Sequence, residues 1–235
     1  MSGIAERLAE IRTRIARRAR AAGRDPEAVK LLAVSKTQPP ERVLEAVRAG
    51  VRAFGENRVQ EAEAKIEAVR GLSRETLEWH LIGSLQRNKV RRAAALCDVI
   101  QSVDRAPLVG ALERECASLG RRLRIFLQVN IDAEPQKGGC APDEVAELAR
   151  AVDESAHLEL VGLMAIPRAC ADPEQVRPSF ARLRELLAET NRARAHSLPL
   201  SELSMGMSSD FEVAVEEGAT WLRIGTALFG ERKSG

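Results

Sequence analysis

Eight short apolar runs recur along the chain, with segments of helical spacing lying between them. The runs are VKLLAVS (29–35), VRAFG (51–55), LEWHLIG (77–83), DVIQSV (98–103), RIFLQVN (124–130), LELVGLM (158–164), SELSM (201–205) and WLRIG (221–225). The helical stripes are marked by Val43, Leu44 and Val47, by Val59, Ala62, Ile66 and Val69, and by Val90 and Ala94. Leu108 and Leu112, then Val145, Leu148 and Val152, then Phe180, Leu183 and Leu187 continue them. A run buried on both faces that must return through a helix makes a βαβ unit, and repeated units make a parallel sheet. Eight such strands predict an α/β fold, a single (β/α)8 TIM barrel spanning residues 1–235, close to the usual size of about 250 residues. The alternative is an open doubly wound sheet. Two features favour closure. No G-x-G-x-x-G follows the first run, and the tail after the last run, TALFGERKSG, is too short for a full covering helix. An extra N-terminal helix over about 2–22, with Ile4, Leu8, Ile11 and Ile15 on one stripe, could take that place, ending at Gly23 and Pro26.

Composition narrows the class of partner. Net charge is +2, from 36 basic and 34 acidic residues, which gives no reason to expect nucleic acid or an anionic membrane as a partner. No apolar stretch approaches the ~20 residues that cross a bilayer. The N-terminus is charged throughout and reads as no signal peptide; Glu6 and Glu10 argue against a transit peptide. The cysteines (97, 116, 140, 170) form no C-x-x-C pair, and His80, His157 and His196 are scattered, so no structural zinc site is expected. The expected compartment is the cytoplasm, with the cysteines reduced.

In a barrel of this kind the chemistry sits where the strands end. The first strand ends in Ser35-Lys36-Thr37, and Lys36 shares the parity of Leu32 and Val34, so its side chain can point into the mouth. A lysine at a strand end is most often simply solvated. One in a low-dielectric mouth is a nucleophile toward aldehydes. That chemistry serves Schiff-base aldolases and proteins that hold pyridoxal phosphate (PLP). The second of these also needs a phosphate site, commonly built after strands seven and eight. The loops there, SMGMSSD (204–210) and GTALFG (225–230), are rich in glycine and hydroxyls. Gly206 and Gly225 allow backbone N–H groups to approach an anion, Ser208 and Thr226 add hydroxyls, and Asp210 could cap a helix near Phe211. Arg223 lies two residues before Gly225. It would either pair with a carboxylate or donate to the pyridine nitrogen of PLP, leaving that nitrogen unprotonated and the ring a weaker electron sink.

The ordered set AVSKTQP, FGENRVQE, WHLIGSLQRNK, SVDR, VNI…KGG, GLMAIP and LSMGMSSDFEVAVEEGATWLRIGTALFG resembles the PLP homeostasis protein family, formerly grouped with alanine racemase-like proteins. The resemblance runs from about Val29 to Gly230. It implies the barrel domain of alanine racemase without its second, β-rich domain. It implies that Lys36 forms the Schiff base with PLP, that Asn57 lies near the cofactor ring, and that Arg223 partners the pyridine nitrogen. Ser208, Gly225, Thr226 and the backbone around Met207 match the phosphate cradle. It further implies a monomer or weak dimer that binds PLP reversibly, helps to control free PLP (vitamin B6) in the cell, has no firmly established reaction, and has PLP-dependent apo-enzymes as candidate recipients.

The residues also bear on enzyme against carrier. Alanine racemase sets a tyrosine opposite its lysine; this chain has no tyrosine at all. His80 is the candidate replacement base, although a strand histidine is more often structural. Lys137, in the loop after strand five, either reaches the mouth to take PLP from Lys36 during transfer or is an ordinary solvated lysine. These features predict a cofactor holder without substantial catalysis, with weak racemase or transaminase activity and a cofactor-free aldolase as the other readings.

Overall fold

A computed structural model describes residues 3–194 and 197–231 of the chain. It opens with α1 (Ile4–Ala21) and continues β1 (Lys30–Val34), α2 (Pro40–Arg48), β2 (Ala53–Glu56), α3 (Val59–Leu72), β3 (Glu78–Leu81), α4 (Val90–Leu96) and β4 (Val99–Val103). Then come α5 (Ala106–Leu119), β5 (Leu123–Val129), α6 (Val145–Asp153), β6 (Leu158–Ala165), α7 (Arg177–Ala193), β7 (Glu202–Ser204), α8 (Phe211–Glu216), β8 (Trp221–Ile224) and α9 (Thr226–Phe229). All strands pair in parallel and in chain order, and β1 pairs β8 from Lys30↔Trp221 to Ala33↔Ile224, so the sheet closes into a barrel. The open-sheet alternative is thereby excluded.

Each apolar run serves two cores. One strand parity fills the barrel with Leu32, Ala53, Val99, Phe126, Met164 and Trp221. The other parity faces the helices, where Phe54, Trp79, Ile100 and Leu222 meet the predicted stripes, Ile66 and Leu183 among them. Gly162 is forced by this geometry: a Cβ there would sit 1.8 Å from the Glu202 carbonyl oxygen, so β6 and β7 approach only because the side chain is absent.

The short α9 leaves one side of the barrel wall uncovered, and α1 fills it. Ile4, Leu8, Ile11 and Ile15 are buried there; four such side chains contribute roughly 6–12 kcal/mol of gross hydrophobic stabilisation. Arg14 and Arg18 of α1 pair with Glu212 of α8 at 3.1 and 3.4 Å, and the Arg7 Nε donates to the Leu228 carbonyl at 2.7 Å. Gly23, at φ 68°, follows the helix end. The expected start at Ser2, and His196, lie outside the described residues. Among the described residues no helix is long and apolar enough to cross a membrane, and no cluster of three His, Cys, Asp or Glu could hold a metal.

Candidate functional site

Lys36 follows the last residue of β1, and both of its neighbours are fixed. The Ser35 hydroxyl donates to Glu56 Oε1 at 2.6 Å, and the Lys65 ammonium donates to the Ser35 carbonyl and to Glu56 Oε1, each at 2.6 Å. Glu56, Lys65 and Ser35 are buried, and Glu56 Oε2 has no partner among the described residues. Burial pushes the Glu56 carboxyl above its ordinary range, against the pull of Lys65 and Ser35. On the other side, Thr37 adopts φ 63°, a left-handed conformation that a β-branched residue rarely takes. Its N–H donates to Glu61, which also accepts from Lys65 at 3.1 Å. Such a strained residue costs of order 1–3 kcal/mol and persists only where its surroundings hold it. Lys65 is therefore saturated, whereas the Lys36 ammonium enters no ion pair among the described residues and lines a concavity of about 40 Å³ with Val34, Gln38, Gly225, Thr226 and Gly230.

The loops after β7 and β8 meet beside it. The Ala227 N–H donates to Ser208 Oγ at 3.2 Å, which ties them together. Gly206 sits at φ 89°, where a Cβ would lie 2.5 Å from that of Ala214, so only glycine allows the β7 loop to lie on α8. Asp210 stands at the N-cap position of α8 but does not cap it. Its Oδ1 accepts instead from the Met207 N–H at 2.6 Å, because the loop folds back on itself. The Met207 N–H is thus spent within the loop. The N–H groups of Ser208, Ser209, Gly225 and Thr226 have no acceptor among the described residues. Backbone donors left open at two joined loops fit a phosphate.

Arg223 lies beneath these loops and is buried. Nη1 donates to the carbonyl and hydroxyl of Ser204 at 2.6 and 2.8 Å, and Nη2 to the Ala165 carbonyl at 2.7 Å. No carboxylate pairs with it among the described residues, which removes the ion-pair reading, and its Nε–H carries no hydrogen bond there. Burial brings its pKa down to about 10, so the guanidinium stays cationic at neutral pH.

The remaining predicted residues lie elsewhere. Asn57 follows β2 and lines a neighbouring cleft of about 750 Å³ with Arg58, Ser84 and Lys89. A Cβ on Gly83 would come within 2.2 Å of the Asn57 carbonyl oxygen, so the two strand ends touch. His80 is buried inside the barrel with both ring nitrogens engaged, Nδ1 by Gln101 at 2.7 Å and Nε2 by Glu78 at 2.8 Å, which leaves neither free to serve as a base at the mouth. The Lys137 ammonium is half-buried and tied down: it pairs with Glu134 and donates to the Pro167 carbonyl at 2.7 Å. A cavity of about 1140 Å³ opens at the opposite end of the barrel beside Lys30, Glu78 and Arg124. There Arg124 pairs with Glu78 at 2.9 Å and Lys30 with Glu202 at 2.8 Å, so these charges are already partnered. Residues that sequence reasoning missed are Glu56, Glu61 and Lys65, which hold the Lys36 turn, and Ser204, which holds Arg223; only the i,i+4 spacing of Glu61 and Lys65 hinted at a pair.

Comparison with known proteins agrees with this geometry. The family described as alanine racemase, N-terminal domain, matches residues 7–233. A pyridoxal phosphate homeostasis protein of Pseudomonas aeruginosa is 48% identical over 235 residues, covering 100% of this chain and 98% of that protein. One from Escherichia coli K12 is 41% identical over 232 residues, covering 99% and 98%. The structure of PipY from Synechococcus elongatus with PLP bound superimposes with a TM-score of 0.85 at 41% identity, covering 97% of this chain and 100% of that one. D-threonine aldolase from Filomicrobium marinum shares the fold alone, at a TM-score of 0.72 and 19% identity, over 92% of this chain and 59% of its own. The barrel, the lysine at its mouth and the full-length relatives lead to one conclusion: the chain belongs to the pyridoxal phosphate homeostasis protein family, within the alanine racemase N-terminal domain fold.

Proposed function

We propose that this chain binds pyridoxal phosphate for intracellular vitamin B6 homeostasis, holding it as a Schiff base on Lys36 without substantial catalysis. The observation that carries the reading is the joining of three recognition elements at one barrel mouth. The amine of Lys36 answers an aldehyde, the open N–H groups around Ser208 and Thr226 answer a phosphate, and Arg223 answers a pyridine nitrogen. The PLP-bound PipY structure and the full-length homeostasis relatives support it.

Bound PLP supplies an aldehyde that condenses reversibly with an amine, releasing water, and a ring that withdraws electrons. The chain supplies the rest. Lys36 presents the amine on a turn fixed from both sides, so little entropy is lost on capture. Arg223, whose Nε–H is open, would donate to the ring nitrogen and, staying cationic, would not surrender a proton to it. Met207 and Gly225 shape the loops, and Asn57, in the neighbouring cleft, would lie toward the ring. With no tyrosine in the chain and both His80 nitrogens engaged, the second base of a two-base racemase lacks a candidate of the usual kind. This supports holding over turnover. PLP-dependent apo-enzymes are the proposed recipients. We place the protein in the cytoplasm as a monomer or weak dimer; Cys97 and Cys140, buried as free thiols pushed up to about 12, suit a reducing compartment.

Titration of the purified chain with PLP tests the binding, followed by the visible Schiff-base band. Wild type should develop the band at saturable stoichiometry and Lys36→Ala should not. Colourless wild-type protein that leaves PLP free would sink the proposal. Rapid exchange of an amino acid's α-proton in deuterated water would overturn the carrier reading in favour of an enzyme. Transfer to an apo-enzyme no faster than release into solvent would exclude direct delivery and keep buffering.

A further inference from the structure

The barrel interior below Arg223 holds polar side chains that touch in series. Arg223 Nη1 donates to Ser204 Oγ at 2.8 Å, and the Ser204 hydroxyl donates to Gln101 Oε1 at 2.6 Å. Gln101 Nε2 lies 2.7 Å from His80 Nδ1, and His80 Nε2 lies 2.8 Å from Glu78 Oε1. Ser204, Gln101 and His80 are at most 1% exposed, so bulk solvent does not reach these bonds. The chain crosses from β8 through β7, β4 and β3 to the end of the barrel opposite the mouth. Apolar residues fill the same interior at Leu32, Phe126 and Met164, so the polar series stands out against them.

The chemistry fixes its direction. Arginine only donates, so the Ser204 oxygen accepts there and its proton must go to Gln101. Gln101 then has only its amide N–H to offer His80, whose Nδ1 must be bare. The imidazole proton therefore sits on Nε2, donated to the Glu78 carboxylate. Every donor points away from Arg223, and Glu78 terminates the series. A charged imidazole would force the Gln101 amide to turn over, leaving the Ser204 proton without an acceptor. Burial lowers the His80 pKa and keeps the ring neutral. The charges that face it are Glu78 on its own strand, Arg124 on β5 and Asp98 ahead of β4; Lys30 on β1 and Glu202 on β7 complete that end of the barrel, and Trp221 of β8 lies against the ring at 4.7 Å.

We propose that Glu78, His80, Gln101 and Ser204 are positioning residues that fix the Arg223 guanidinium toward the pyridine nitrogen of PLP. The inference rests on the PLP reading above. Severing the chain leaves Arg223 its two carbonyl anchors but frees the Ser204 hydroxyl to rotate, so the arginine is loosened and not lost.

Two measurements test it. In unloaded wild-type protein, ¹⁵N NMR of the His80 ring should show the proton on Nε2 with Nδ1 bare between about pH 6 and 8, and Glu78→Gln should keep that tautomer, because the amide oxygen still accepts from Nε2–H. A proton on Nδ1, or an imidazolium, overturns the directional chain without reference to any ligand. In PLP titrations, Ser204→Ala and Gln101→Leu, each checked for native circular dichroism, should bind about five- to tenfold more weakly and shift the visible band. Because the bonds act in series, the double variant should be no worse than either single one. A wild type that binds while both folded variants bind equally well with the same band overturns this role alone. A wild type that takes up no PLP overturns the function proposed above and this role with it.

Discussion

Replacing Lys65 by methionine isolates what holds the Lys36 turn. Methionine keeps the length and most of the apolar stem, so the change is chiefly electrostatic. It removes the donor to the Ser35 carbonyl and to Glu56 Oε1, both at 2.6 Å, and strands a carboxylate whose other oxygen already lacks a partner. The cheapest response is for Glu56 to take a proton on folding. At pH 7 that costs about 1.4 kcal/mol per unit over the roughly 2.5 units above its ordinary pKa, or about 3.5 kcal/mol. Loss of the bond to Ser35 adds about 1 kcal/mol. The sum agrees with the roughly 3–5 kcal/mol expected for breaking a buried pair from one side. The sign with pH follows from a raised folded-state pKa: the stability is present below the unfolded value and lost as pH rises toward the folded one. Because burial already raises wild-type Glu56, the gap between variant and wild type should open only once the wild-type carboxyl ionises, and then widen by up to about 1.4 kcal/mol per unit toward pH 7. Equilibrium urea unfolding at about pH 5 and pH 7 reads this out, with a midpoint shift of about 1–1.5 M at pH 7. Adding Glu56→Gln should return about 2 kcal/mol or more at pH 7, since no charge is then stranded. A loss that is equal at both pH values, or no recovery in the double variant, refutes the argument.

Three further outcomes are expected. Leu8→Ala, at a position 2% exposed on α1, should lower unfolding free energy by about 2–5 kcal/mol in the same assay, showing that α1 is part of the barrel wall. Gly206→Ala should cost about 2–3 kcal/mol, because it combines φ 89° with a 2.5 Å approach to Ala214, and should also weaken PLP uptake; a neutral effect on melting would contradict the described loop. Asp153 is held below the usual carboxylate range by the Arg194 guanidinium, so its contribution is present above the unfolded pKa and fades as pH falls through the folded one. Asp153→Asn should accordingly flatten the acid limb of the stability profile, most clearly below about pH 4.

Much of the barrel is legible in the chain because its two periodicities are clean. Strands such as β4 and β8 are buried along their whole length and appear as short, mainly apolar runs broken only at Gln101, Ser102 and Arg223, while helices such as α6 carry one stripe. The mouth is legible for the same reason: strand ends are where the apolar run stops, so Lys36, Ser208 and Arg223 stand out against their neighbours. The supporting residues do not. Gln101 and Ser204 lie on β4 and β7, which are not neighbours in the sheet, so their contact exists only once the barrel closes. Lys65 lies on the buried side of an otherwise charged helix and looks like any surface lysine until Glu56 is placed beneath it. Asp210 shows the limit of cap rules, since its side chain turns back to Met207 and not forward into α8. The tie that holds Lys137 depends on a carbonyl at Pro167, far along the chain.

Reductive trapping tests the central claim most directly. PLP-loaded wild-type protein is treated with borohydride, digested, and mapped by mass spectrometry. The account predicts a pyridoxyl group on the peptide carrying Lys36 and its absence in Lys36→Ala. An adduct confined to another lysine, such as Lys65 or Lys137, or no stable adduct at all, would contradict it.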